Sequence, residues 1–329
     1  MSLLLSRTDV AQVLTMSETI HAVEEGFRQY ARGTVKMPQR TVIHTDAHNG
    51  IHLGMPAYAS EAGENGALVL KVVTVYSDNQ AKYGLPTILA TILLNDARTG
   101  QLMAIMDGTF LTAMRTGAAS AVATKYLATK GAGTLGIFGA GWQARTQLMA
   151  IHEVRTLSRV HVFDPLTSAR DQFAREMSEQ LGLDVVPAKD ARECAENEII
   201  CTATSSEIPV FDGTWLRPGT HINGVGTHTP DARELDTETI LRSKVVADCS
   251  VACVEEAGDL IIPITEQLFR KEQVHAGLGE VVNGTKPGRE SSDEITVFKS
   301  VGLAIQDAMT AARVYELARE ANIGMEVEL

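Results

Sequence analysis

Near the start of the chain, apolar side chains recur at helical spacing. Ile20, Val23, Phe27 and Tyr30 share one face behind Ser17, a residue type that caps helices. The period then changes. The runs RTVIHT, IHLGMPAY, ALVLKVVTVYS, PTILATILLND and LMAIMD read as strands, with Asn49-Gly50 and the stretch from Asp96 to Gly100 as turns between them. These predict an antiparallel or mixed sheet with helices on one side. A second regime begins near residue 130. The glycine-rich KGAGTLGIFGAG leads into a buried strand, and VHVFD, EIICTAT, THINGVG and KVVADCS then alternate with helical patterns. That alternation indicates parallel βαβ units. The tail, SSDEITVFKSVGLAIQDAMTAARVYELAREA, predicts a long helix opened by a serine cap and returning to the first domain. The expected fold class is α/β: a Rossmann-type parallel sheet domain over 119–304, and a mixed α/β domain built from 1–118 and a C-terminal helix, 305–329.

Composition narrows the class of partner. The 329 residues are 44% hydrophobic and 21% charged, an ordinary soluble balance with volume for two cores. Acidic residues outnumber basic ones, for a formal charge of -12, which argues against nucleic acid and requires any anionic substrate to be held by locally placed cations. No basic-then-apolar leader opens the chain, and no apolar run is long enough for a membrane span. The four cysteines, 194, 201, 249 and 253, lack the spacing of a zinc set. They are expected as reduced thiols of a cytoplasmic protein, with Cys201 and Cys249 in buried strands. His44, His48 and His52 recur every four residues, but Asn49-Gly50 interrupts them and their flanks read as strands, so no metal site is expected.

The chemistry concentrates in TLGIFGAGWQARTQL. Gly139-x-Gly141-x-x-Ala144 follows a strand, Leu135 to Phe138, and opens a helix. The first glycine serves the tight turn and the second lets the backbone approach a pyrophosphate. A small third residue lets helix pack on strand, and the helix N-terminus faces the phosphates. The next strand ends at Asp164, 20 residues past Ala144, where an acid accepts from ribose hydroxyls and repels a 2′-phosphate. No arginine follows directly, so NAD(H) is expected rather than NADP(H). Thr202, at the end of CTATSS, and Val225 and Gly226, in GVGTH, fall at later strand ends where a cofactor sits.

With these pieces in place the chain resembles the ornithine cyclodeaminase/μ-crystallin family. The resemblance is carried by MPQR, HLGMPAY, LVLKVVTVY, LTAMRTGAASAVATKYLA, GAGWQA, GVGTHTPDARELD and FKSVGLAIQDA. It implies a homodimeric NAD-dependent enzyme acting on the C–N bond of a small α-imino or α-amino acid, with the first domain binding substrate and forming the dimer. The uncharged TILATILL run also points to a partner surface. By the resemblance, Arg40, Lys71 and Arg115 surround the substrate carboxylate, and Thr87, Arg115, Trp142, Gln143 and Ser300 contact the cofactor. Chemistry agrees. Arginine recognises carboxylates in two-point fashion, and a lysine inside the apolar run LVLKVV, crowded by cations, is suited to acid–base work.

Two departures from the family pattern matter. Cyclodeaminases carry an aspartate where this chain has His228, and a glutamate two residues before the MP turn, where it has Leu53. Losing both removes the counter-charges for a diamine. Ornithine cyclodeamination therefore gives way to imine reduction or amino-acid dehydrogenation. A crystallin-like protein that binds cofactor without turnover is the alternative from another class, and retention of all three cations argues against it. His228 is a candidate to bind substrate and to pass a proton.

Overall fold

The computed structural model describes residues 1–62 and 66–328. The chain forms two compact units, Met1–Arg115 with Leu303–Leu329, and Thr116–Gly302.

The first unit is built on a mixed sheet. Its strands are β1 (Ser2–Leu5), β2 (Val35–Lys36), β3 (Thr41–Thr45), β4 (Gly50–Ala59), β5 (Ala67–Tyr76), β6 (Ile88–Asp96), β7 (Leu102–Asp107) and, from the C-terminus, β16 (Met325–Val327). They run in the order β16-β1-β7-β6-β5-β4-β2, with β3 also on β4. Among the described residues of this sheet only β1 and β7 pair in parallel. Along β5, Ala67, Val69, Lys71 and Val73 alternate inward and are buried. Helices α1 (Arg7–Val13), α2 (Met16–Arg32) and α3 (Asn79–Tyr83) belong here, as do the start of α4 (Gly108–Leu127) and the whole of α12 (Ala304–Ala321). The long helix α12 packs on α2 and on β4 and β5. The cap of α2 is not Ser17, which lies inside the helix. Thr15 holds that place, its hydroxyl accepting from the Glu18 N–H at 3.2 Å.

The second unit is a wholly parallel sheet of eight strands: β8 (Thr134–Phe138), β9 (Arg159–Phe163), β10 (Val185–Pro187), β11 (Ile199–Thr202), β12 (His221–Gly224), β13 (Ser243–Ala247), β14 (Ala276–Gly277) and β15 (Ile295–Lys299). The order β10-β9-β8-β11-β12-β15-β13-β14 reverses direction between β8 and β11. Such a switch point opens a crevice at the carboxyl ends of the strands. The connecting helices are α5 (Trp142–Val154), α6 (Thr167–Leu181), α7 (Ala191–Ala195), α8 (Thr237–Leu241), α9 (Ser250–Glu256), α10 (Gly258–Thr265) and α11 (Leu278–Val282). Leu135, Ile137, Val160 and Val162 form one apolar layer with Leu148 and Ile151 of α5, and Phe138, Ile200, Ile222, Val245 and Val297 form another.

The tail departs from expectation. ITVFK is a fully buried strand in the middle of the sheet, hydrogen-bonded to β12 and β13, rather than the opening turn of a helix. Its unbroken apolar, β-branched run suits a strand covered on both faces. Gly302, at φ 81°, turns the chain, and the helix starts only at Ala304. Cys201 lies in buried β11 as expected, but Cys249 follows β13 and is the half-buried N-cap residue of α9. None of the four cysteines forms a disulfide. Among the described residues no helix is long and apolar enough to cross a membrane, and no three His, Cys, Asp or Glu side chains gather as metal ligands. His44 and His52 lie on β3 and β4, and His48 on a single 3₁₀ turn, Asp46–His48.

Candidate active site

In the first unit the inward face of β5 carries Lys71 into the core, where it is 1% exposed. Its Nζ lies 2.6 Å from Oδ2 of Asp307, on the first turn of α12. The other oxygen of Asp307 accepts from Nε of Arg115 at 2.9 Å, and Arg115 Nη1 donates to Gln306 Oε1 at 2.8 Å. One buried carboxylate thus serves two buried cations. Burial brings the Lys71 ammonium down to about 8, with Arg115 and Arg40 pushing the same way and Asp307 opposing them. Arg40 is half-buried in the segment that leads into β3. Thr87 precedes β6, with its carbonyl accepting from the Tyr76 N–H at 2.9 Å. Sequence reasoning does not single out Asp307 or Gln306. The available signal is a charged residue between the apolar Ile305 and Ala308, both of which are fully buried.

In the second unit the glycine turn is conformationally committed. Gly139 has φ 98°, and a Cβ there would lie 2.6 Å from the Ala203 carbonyl oxygen. A Cβ at Gly141 would meet nothing within 4 Å, and no side chain caps the α5 N-terminus that begins there. Ala144, fully buried, packs the helix onto the sheet. This is the donor arrangement that a pyrophosphate fits. Asp164 adds a lock: Oδ2 accepts from the Ala140 N–H at 3.0 Å, and Oδ1 from the Leu166 N–H at 2.8 Å. It remains half-buried, and each carboxylate oxygen has capacity for a further donor. Trp142 is 47% exposed, and the Gln143 carbonyl accepts from Thr146 Oγ1 at 2.9 Å.

The strand ends beyond the switch point are held by buried carboxylates that sequence reasoning also misses. Glu234, fully buried, takes the Thr202 hydroxyl and the Gly226 N–H on Oε2, each at 2.8 Å, and the N–H and hydroxyl of Thr204 on Oε1. Burial holds its carboxyl above the usual range. Asp248 accepts from Ser300 Oγ at 2.7 Å and from the N–H groups of Val301 and Gly302. The Val225 N–H donates to the Thr202 carbonyl. Thr202 and Ser300 therefore have their hydroxyls turned onto these acids. His228 is exposed on the loop after β12.

The same two-unit architecture also occurs in known proteins. The profile of the ornithine cyclodeaminase/mu-crystallin family matches residues 1–322. The chain belongs to that family. Within it, a Δ(1)-pyrroline-2-carboxylate reductase of Thermococcus litoralis, solved with NADH and L-proline, superposes with a TM-score of 0.96 and 49% identity over 99% of this chain and 100% of that one. An archaeal alanine dehydrogenase dimer with bound NAD gives 0.94 and 36%, covering 100% and 99%. A Δ(1)-pyrroline-2-carboxylate reductase of Bacillus cereus is 38% identical over 99% of each chain.

Proposed function

We propose that the protein is an NAD(H)-dependent oxidoreductase of small α-imino and α-amino acids, and that Δ(1)-pyrroline-2-carboxylate with L-proline is its preferred pair. The observation that carries this is the buried Lys71–Asp307–Arg115 cluster. Two cations share one anion there, so a substrate carboxylate completes the charge balance. Arg115 and Arg40 bind that carboxylate. Lys71, with an ammonium near 8, is mostly protonated at neutral pH yet gives its proton up readily, which suits delivery to an imine nitrogen. In the reverse direction it takes the proton from the amine. NADH, when bound, supplies the hydride to the substrate Cα. The C=N bond thereby becomes CH–NH, with one hydride and one proton added. Gly139, Gly141, Trp142 and Gln143 cradle the pyrophosphate, Asp164 meets the ribose, Thr202, Val225, Gly226 and Ser300 contribute to cofactor binding from the second unit, and Thr87 and Arg115 are assigned to the cofactor from the first. His228 faces the substrate. Leu53, on β4, offers no counter-charge for a second ammonium, which disfavours ornithine.

The Thermococcus litoralis relative, at 49% identity with L-proline bound, supports the cyclic substrate. The test is an NADH-oxidation assay comparing Δ(1)-pyrroline-2-carboxylate, pyruvate with ammonia, and oxaloacetate with ammonia, beside ammonia release from ornithine. The cyclic imine is expected to give the highest kcat/KM. A higher value for pyruvate with ammonia would assign an alanine dehydrogenase instead, and ammonia release from ornithine would overturn the reading.

The protein acts as a homodimer through the outer face of the first unit's sheet. Ile43, Leu68 and Leu89 are 59%, 37% and 37% exposed there, and Leu70, Val72 and Leu93 share that face by register. The archaeal alanine dehydrogenase relative is a dimer. All four cysteines are free thiols and three of them are buried, which fits a cytoplasmic location.

A further inference from the structure

The loop from Val225 to Leu235, which bears His228, rests on a chain of buried charges. Lys299, at the end of β15, is fully buried. Its Nζ lies 2.7 Å from Asp259 Oδ2 on the first turn of α10, and donates to the Thr227 carbonyl oxygen at 2.8 Å. That carbonyl belongs to the peptide group joining Thr227 to His228. Asp259 Oδ1 accepts from the N–H groups of Glu234 and Leu235, at 2.9 and 2.8 Å. Glu234 in turn accepts from the Gly226 N–H at 2.8 Å. The loop is therefore gripped at Gly226, at Thr227 and at Glu234–Leu235. Only residues 228–231 between these points are exposed. The fit is close. A Cβ at Gly226 would strike Glu234 Oε1, and one at Gly258 would strike the Ala232 carbonyl oxygen. The Gly258 N–H also donates to the Thr229 carbonyl at 3.0 Å.

Stability alone does not explain a fully buried ion pair. Well-packed apolar residues of similar volume do as well or better, because they avoid desolvating two charges. What the ammonium adds is direction: a fixed donor aimed at one backbone carbonyl. We propose that Lys299 is a positioning residue for His228, fixing the peptide plane before it and so the placement of its imidazole, with Asp259 and Glu234 anchoring the same loop at its other end. This rests on the reading that His228 faces the substrate.

The test replaces the pair together, Lys299→Met with Asp259→Asn, so that no lone charge is left buried and an amide oxygen still accepts from Glu234 and Leu235. Folding is verified by thermal unfolding, and NADH affinity by fluorescence titration. Turnover of Δ(1)-pyrroline-2-carboxylate is expected to fall by about 10- to 100-fold in kcat, with a smaller loss of NADH affinity through Gly226, which the same network holds. In a His228→Ala background the same pair of substitutions is expected to cost less than about twofold more, because the residue they position is gone. Hydrogen exchange of the segment 226–235 should rise about tenfold while β12 and β15 stay protected. Equal losses with and without His228, or unchanged exchange in that segment, would overturn the proposal. The exchange result stands apart from activity, so an enzyme that turns over none of the imino acids would refute the functional reading without deciding this one. A double variant that does not fold is replaced by Lys299→Gln with Asp259→Asn, in which an amide can still donate to the Thr227 carbonyl and no lone charge is left buried. Retained turnover and retained protection of 226–235 there support the directional role, and a full loss of either overturns it.

Discussion

Each unit buries one lysine inside an apolar strand, and each lysine sits beside an aspartate: Lys71 at 2.6 Å from Asp307, Lys299 at 2.7 Å from Asp259. Burial pulls both ammonium groups downward, and it is the largest influence on each. The outcomes are nonetheless opposite. Lys71 shares its single anion with Arg115 and feels Arg40, and it comes down to about 8. Lys299 has both Asp259 and Glu234 around it, and these outweigh burial and hold it above its ordinary value. The lesson is that the count of nearby opposite charges, not depth, separates a lysine that can trade a proton from one that cannot. That difference is why we assign the first to chemistry and the second to position.

The sharpest way to break this comparison is to remove the proton carrier. Lys71→Met is expected to lower kcat/KM by about 10³- to 10⁴-fold while NADH affinity, by fluorescence titration, stays within about threefold. A loss under tenfold would move the acid–base role elsewhere. His228→Ala comes next, with turnover lower by about 10- to 10³-fold and cofactor affinity unchanged. Loss of NADH binding without loss of folding would reassign His228 to the cofactor loop.

Asp307→Asn tests the charge count directly. It removes the carboxylate that raises the Lys71 ammonium, so the alkaline limb of the kcat/KM profile, expected near pH 8 in the parent enzyme, should move to lower pH. The substitution also leaves two cations without their anion, at a cost of roughly 3–5 kcal/mol in unfolding free energy. An unmoved limb in a folded variant would show that Lys71 does not set it. Stability offers a further check. The Lys71 ammonium titrates near 8 when folded, against 10.5 in an exposed lysine, so the unfolded chain binds more protons between those values. Stability relative to Lys71→Met should therefore rise with pH across that window, by on the order of 3 kcal/mol at most. For Lys299 the sign reverses: its contribution is complete below its unfolded value and is lost only as pH rises through its higher folded one.

The smallest effect concerns the cofactor. NADH is expected to bind at least about tenfold more tightly than NADPH, roughly 1.4 kcal/mol. Asp164→Ser should narrow the gap and also loosen the glycine turn, since Asp164 holds the Ala140 N–H. Equal affinities in the parent protein would remove Asp164 from cofactor choice.

Much of the architecture is legible in one dimension. Period-two alternation marks β4 to β7, and the strand–glycine–helix order marks the dinucleotide turn, because these are local patterns with local causes. Lys71 stands out because a lysine interrupts an apolar run. Lys299, in ITVFKS, gives the same signal, but it is masked because its strand reads in sequence as the start of a helix. Whether a short apolar run is strand or helix is undecided by periodicity, and here it is settled by neighbours hydrogen-bonded from β12 and β13. The sequence by itself determined the fold class and the glycine turn, and its resemblance singled out Arg40, Lys71 and Arg115 as candidates. Only the tertiary structure brought Lys299 into view and decided which acids answer the two buried lysines. Asp307 lies 236 residues from Lys71, and Asp259 40 residues before Lys299. A pairing that distant leaves no local pattern, because it is set by which strand faces come to lie against which helix ends, and those acids in turn set the protonation of each lysine.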